Sequence, residues 1–128
     1  MTHEINRAEI VAEVRDAFDR YNAALDGNDV AALNGFFWES PHTVRFGVGE
    51  NLFGHAEIAG FRSGKWTPGR PRKLVRLAVT ALGSDFAVTS AVFRREGGTG
   101  LSRQTQTWAR VPEGWRIVAA HVSSLAGA

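Results

Sequence analysis

Four β-rich runs fill residues 72–82, 86–95, 101–110 and 115–124, and they leave little freedom of architecture. Each is about ten residues of mostly β-branched, aromatic and small side chains, the composition that suits a pleated, half-buried surface. The separators are Gly83-Ser84-Asp85, Glu96-Gly97-Gly98-Thr99-Gly100 and Val111-Pro112-Glu113-Gly114. Such short Gly/Pro/Asp connections join antiparallel neighbours, because a parallel crossover needs a dozen residues or more. The expectation is a four-stranded antiparallel meander.

The first part of the chain has a different period. Asn6 followed by Glu9 has the spacing of a capping box, so a helix is expected to start there. Val11, Val14, Phe18, Tyr21 and Leu25 recur at steps of three and four, which puts all five on one helical face. Gly27 is a C-terminal stop, and Asp29 caps a second, shorter helix through Ala31, Leu33 and Phe36. Thr43-Val44-Arg45-Phe46 reads as a short strand, Gly47-Val48-Gly49-Glu50-Asn51 as a tight turn, and Leu52-Phe53 as the return. Gly54 breaks that strand, and His55 to Trp66 has helical spacing. Three helices, a small hairpin and a meander make an α+β fold, with the helices on one side of a curved antiparallel sheet. At 128 residues this is one domain, 1–128.

Composition removes several classes of function. There is no cysteine, hence no disulfide and no thiolate site. No apolar run approaches the roughly 20 residues of a membrane span, and a polar N-terminus argues for the cytoplasm. His3, His42 and His55 lack the spacing of a metal site, and no phosphate-binding or GxSxG motif occurs, so no metal and no cofactor are expected. Charge is uneven. Residues 1–29 hold seven acids and three bases, whereas 58–84 hold Arg62, Lys65, Arg70, Arg72, Lys73 and Arg76 and no acid. A basic segment attracts carboxylate or phosphate, or is simply a solvated loop and strand end. Nucleic acid is not an expected partner, since no recognition module is present.

The layout and the closing run Trp115-Arg116-Ile117-Val118-Ala119-Ala120-His121-Val122-Ser123 resemble the NTF2-like (SnoaL-like) superfamily, in which a curved sheet and a long helix enclose a conical pocket. Phe37-Trp38-Glu39-Ser40-Pro41, Thr43-Val44-Arg45-Phe46-Gly47, Gly49-Glu50-Asn51-Leu52-Phe53-Gly54, Glu57-Ile58 and Phe61-Arg62 resemble the AtzH-like family over nearly the whole chain. That family includes a dicarboxyurea decarboxylase and proteins of oxalurate catabolism. The resemblance implies a small nitrogen-compound lyase with a catalytic tyrosine at Tyr21 and an active-site arginine at Arg45.

Residue chemistry leaves alternatives beside that implication. Arg45, between Val44 and Phe46, needs an anionic partner if buried. Either Glu50, Glu57 or an acid of the first helix supplies it, or a substrate carboxylate does, bound bidentately. Tyr21 is a core residue of the helical stripe or a proton donor and orienter. Arg62 is a second anion anchor, a helix cap or a solvent-reaching chain. Alternation sets Gln104, Gln106 and Trp108 on one strand face and Arg103, Thr105 and Thr107 on the other. Gln104 and Gln106 either read a urea-like amide or face a second subunit. His121, taken to share a face with Trp115, Ile117 and Ala119, is a core histidine or an acid–base group. The candidate set is therefore Tyr21 and Arg45 as catalytic residues, with Arg62, Asn51, Gln106 and His121 as substrate contacts.

Three function classes fit. The first is a cofactor-free lyase acting on an N-carboxylated urea or similar small carboxylate-bearing substrate. The second is ketosteroid-isomerase-like proton transfer, which needs a carboxylate base. The third is a ligand-binding or association module beside an amidohydrolase. A homodimer through the sheet face is expected, because residues 74–79 place Val75, Leu77 and Val79 on one side and Leu74 and Ala78 on the other, leaving apolar groups on both.

Overall fold

The computed structural model of the chain describes residues 4–64 and 71–125. Helices α1 (Ala8–Asp26), α2 (Val30–Phe36) and α3 (His55–Gly64) cover one face of a sheet. The strands are β1 (Val44–Phe46), β2 (Asn51–Phe53), β3 (Arg72–Leu82), β4 (Phe86–Arg95), β5 (Leu101–Val111) and β6 (Gly114–Leu125), in the spatial order β2-β1-β6-β5-β4-β3. The meander forms as the turn chemistry requires. The expected end of the third helix at Lys65–Trp66 lies outside the described residues, as do Lys65 and Arg70 of the basic segment.

One junction is not antiparallel. β1 lies parallel to β6, with Arg45 opposite Ala120 and Phe46 opposite His121. The sheet is thus mixed, and the small hairpin extends the meander at its β6 edge. The connector is pinned in place: Trp38 N donates to Ile117 O at 2.9 Å, Thr43 Oγ1 to Trp38 O at 2.7 Å, and Gly54 N to Thr43 O at 2.6 Å. Gly54 sits at φ 89°, a conformation that glycine adopts without strain.

Helix α1 buries Ile10, Val14, Ala17, Phe18 and Tyr21, and Val11 and Leu25 pack at the margin of the same core. Its start differs from the capping-box expectation. Asn6 is in the left-handed region at φ 57°. Its amide N–H donates to Ala81 O, and its Oδ1 accepts from Ala81 N at 2.8 Å. That side chain ties the N-terminus to the end of β3 instead of capping α1, whose N-cap is Arg7. Asp29 does cap α2, accepting from Ala32 N at 3.1 Å.

Two bulges reset which side chains meet the helices. In β3 the pairing with β4 slips between Leu74 and Arg76, so Val75 is extra. Leu74, Leu77 and Val79 consequently all pack on the core, while Val75 is exposed. In β6 the pairing with β5 slips between Thr107/Ala119 and Trp108/Ile117, which makes Val118 the extra residue. One inserted residue exchanges the two faces of everything beyond it.

Candidate active site on the helix-covered face

Register and burial together order the residues of the covered face into successive rows across the sheet. Ile117, Trp108, Ala87 and Ala81 form the first. Leu52, Arg45, Ala120, Gln106, Thr89 and Val79 form the second. Val122, Gln104, Ala91 and Leu77 form the third, and Ser124, Ser102, Phe93 and Leu74 the fourth. Arg45, Gln106 and Thr89 therefore share one row, and Gln104 stands in the next.

Tyr21 is buried, and its ring meets Phe36 edge-on at 5.7 Å and Phe37 at 6.1 Å; Phe36 in turn meets Trp108 at 6.5 Å. Its hydroxyl accepts a hydrogen bond from Arg62 Nη2 at 2.9 Å, across 41 positions of sequence. A guanidinium can only donate, so the phenol oxygen is the acceptor and its own proton is directed away from Arg62. Arg62 itself is 4% exposed, carried inward by the last turn of α3. The pair is a phenol oriented by a buried cation.

Arg45 is also buried, and Glu50 supplies its partner: Nη1 donates to Glu50 Oε1 at 2.7 Å. The ion-pair alternative is what the structure contains. Only Nη1 is committed to it, and the guanidinium has four other N–H groups. Gly47 makes the pair feasible, since a Cβ there would lie 1.7 Å from Glu50 Oε1 and 2.9 Å from Arg45 Nη1.

Gln106 is buried in a polar relay: Trp108 Nε1 donates to Thr89 Oγ1 at 3.0 Å, and Thr89 Oγ1 donates to Gln106 Oε1 at 3.3 Å. Asn51 and His121 are elsewhere. Both are exposed, and both pair with Phe46 on the open face. The His121 ring meets Phe46 edge-on at 5.8 Å. The Val118 bulge removes His121 from the face of Trp115 and Ile117 and puts Ala120 there. The structure thus gathers Tyr21, Arg45, Arg62 and Gln106 on the covered face and leaves Asn51 and His121 on the opposite one.

Arg72 has a larger part than residue type suggested. Its guanidinium stacks on Phe93 at 3.7 Å and donates to Asn22 Oδ1 at 2.9 Å, one residue beyond Tyr21. Burial lowers its pKa to about 10, and the positive charge of Arg95 and Arg62 pushes the same way against the opposing influence of Tyr21 and Asp26. A cleft of about 290 Å³, lined by Phe18, Asn22, Asp26, Arg72, Leu74 and Phe93, opens there between α1 and β3. Its sequence signal was only the basic segment, which does not tell a stacked arginine from a solvated one.

The fold is that of an NTF2-like α+β protein, and solved structures share it. An NTF2-like superfamily protein from Salmonella enterica is 26% identical, with 93% of each chain covered and a TM-score of 0.75. A protein of unknown function from Pectobacterium atrosepticum is 50% identical, with 95% of each chain covered and a TM-score of 0.91. A cystatin-like fold protein from Burkholderia xenovorans is 46% identical over 97% of this chain and 98% of its own, also at 0.91. No curated protein sequence matches the chain. Within the superfamily, the AtzH-like family model matches residues 3–128, and the chain belongs to that family.

Proposed function

We propose that this protein is a small cofactor-independent lyase that removes carbon dioxide from an N-carboxylated urea such as dicarboxyurea. The observation that carries the reading is the charge of the covered face. Among the described residues, the buried charged side chains are Arg45 and Arg62, and no acid is buried. A face with two interior guanidiniums and a phenol suits an anionic substrate. It does not suit proton abstraction by a carboxylate base, which the isomerase-like alternative requires.

The chemistry follows from those groups. The C–N bond of the N-carboxylate breaks, its electron pair passes to nitrogen, and carbon dioxide leaves neutral. Nitrogen takes a proton from the Tyr21 hydroxyl, which is recharged from solvent. Arg62, already bonded to that oxygen, stabilises the negative charge left on it. Arg45 holds the spectator carboxylate through the edge of its guanidinium not used by Glu50. The apolar wall of Phe36, Phe37 and Trp108 favours loss of a neutral molecule from a charged one.

The experiment is release of carbon dioxide from freshly generated N-carboxyurea. Tyr21→Phe keeps the packing and removes only the hydroxyl, so it should lower kcat by roughly 10²–10⁴. Arg45→Met should lower binding and rate together, since a held carboxylate is bound in ground and transition states alike. Turnover by Tyr21→Phe at the wild-type rate would reduce Tyr21 to a core residue. Tight binding of dicarboxylates without turnover would leave the association-module reading in its place.

A further inference from the structure

We propose that Gln104 recognises the ureido group of the substrate: its side-chain amide pairs with a carbonyl oxygen and an N–H of the ligand. The inference rests on the anion-binding reading above and adds the contact that selects a urea from other carboxylates. The observation behind it is a buried donor. Gln104 is 5% exposed, and its Nε2 has no hydrogen-bond partner among the described residues. Its neighbours along the third row are Val122, Ala91 and Leu77, none of which has a polar side chain. An amide nitrogen removed from water without a partner destabilises the fold, so such groups are few and need a reason.

Gln106 provides the contrast. It lies on the same strand and face, but its Oε1 is engaged by Thr89, which also accepts from Trp108. That relay holds Gln106 in one orientation as part of the wall. Gln104 has the same chemistry with its donor uncommitted. Its row lies between that of Arg45 and that of Phe93, on whose ring Arg72 stacks. A ligand whose carboxylate meets Arg45 would lay its next few atoms along this row. A primary amide offers one acceptor and two donors, and a ureido group offers the complementary carbonyl and N–H, so the two pair head to tail. An alkyl carboxylate of the same length offers neither. A site built to bond polar groups rejects an analogue lacking them more strongly than an apolar pocket rejects a hydroxyl.

The test uses two probes of equal chain length, N-carbamoylglycine and pentanoate, titrated calorimetrically into wild-type protein and into Gln104→Met. Methionine matches the length and flexibility of glutamine and removes its hydrogen bonds. Wild-type protein should prefer N-carbamoylglycine, and Gln104→Met should lose roughly tenfold or more in affinity for it, with pentanoate unchanged. Thermal unfolding serves as the structural control: removing an uncommitted buried amide should leave the melting temperature unchanged or raise it. A ureido preference that survives in Gln104→Met, or a melting temperature that falls with both affinities, overturns the role of Gln104 while leaving the anion site standing. Failure of wild-type protein to bind either carboxylate overturns the anion site and this inference together. Arg45→Met separates the cases further, since it should weaken both probes equally and preserve the ratio between them.

Discussion

Replacing Gly47 by alanine isolates the Arg45–Glu50 pair from everything else in the hairpin. Gly47 does not have a positive φ, so alanine adds no backbone strain there. What it adds is a Cβ placed 1.7 Å from Glu50 Oε1 and 2.4 Å from Glu50 Cδ. The carboxylate has to leave. Its side chain is 22% exposed, so it can swing into water at little cost, whereas that of Arg45 is 11% exposed and stays behind, its Nη1, 2.9 Å from the added Cβ, giving way slightly. Loss of a charge-assisted bond is worth about 1.5–3 kcal/mol, and a charge stranded in the interior costs about 3–5 kcal/mol. Partial solvent access puts this case near the lower range, and the stiffer unfolded chain returns about 0.4–1 kcal/mol. The net loss is about 1–2.5 kcal/mol, or a melting temperature lower by roughly 4–10 °C for a domain of this size. The assay is thermal unfolding followed by tryptophan fluorescence, with and without millimolar malonate. Because Arg45 is vacated in Gly47→Ala, malonate should raise its melting temperature more than that of wild type. A melt superimposable on wild type would refute the argument, as would a fall that malonate does nothing to reverse.

Thr89→Val strands both Trp108 Nε1 and Gln106 Oε1, which should cost about 2–4 kcal/mol in denaturant unfolding, while Thr89→Ser should cost less than half of that because it keeps the hydroxyl. For Arg72, burial lowers the folded pKa to about 10, below the ordinary arginine range, so the folded chain gives up this proton before the unfolded one. The desolvation cost is therefore fully present below pH 10 and is relieved only as pH rises above that value. Arg72→Met should accordingly change stability at neutral pH by less than about 1 kcal/mol, the lost Asn22 bond and Phe93 stack being offset by that relief, and a loss above about 3 kcal/mol would contradict it. Although the bulge at Val75 removes the original argument for a two-faced strand, the open face still exposes Phe53, Leu82 and Phe86, at 58%, 46% and 57%. The chain should be a homodimer by light scattering at micromolar concentration and Phe86→Lys a monomer; a monomeric wild type would refute the sheet-face interface.

Much of this architecture is legible because its signals are local. Gly83-Ser84-Asp85 and Val111-Pro112-Glu113-Gly114 are turn sequences whatever surrounds them, and the stripe from Val11 to Leu25 is a helical period. Glu50 as a partner of Arg45 was also within reach, since it stands only five positions along, in the turn that follows the strand. The misreadings share a different cause. A bulge residue such as Val75 or Val118 is an ordinary strand residue in sequence, and only the partner strand reveals that it is extra. Strict alternation therefore placed His121 among the core residues and missed Ala120. Asn6 has a capping residue's side chain, but the groups that satisfy it belong to Ala81, 75 positions away. The parallel contact of β1 with β6 likewise depends on a chain reversal that no short motif encodes. Tyr21 and Arg62 were each nameable from residue type and position, but the hydrogen bond joining them was not.

The central claim is that a small carboxylate-bearing substrate is held on the helix-covered face at Tyr21, Arg62 and Arg45. A crystal structure of the malonate complex tests it most directly. The account predicts a malonate carboxylate within hydrogen-bond distance of the Tyr21 hydroxyl or Arg62 and of the Arg45 guanidinium, with Glu50 shifted or sharing the arginine. Malonate bound only outside this face, with the Tyr21–Arg62 and Arg45–Glu50 bonds unaltered, would contradict it.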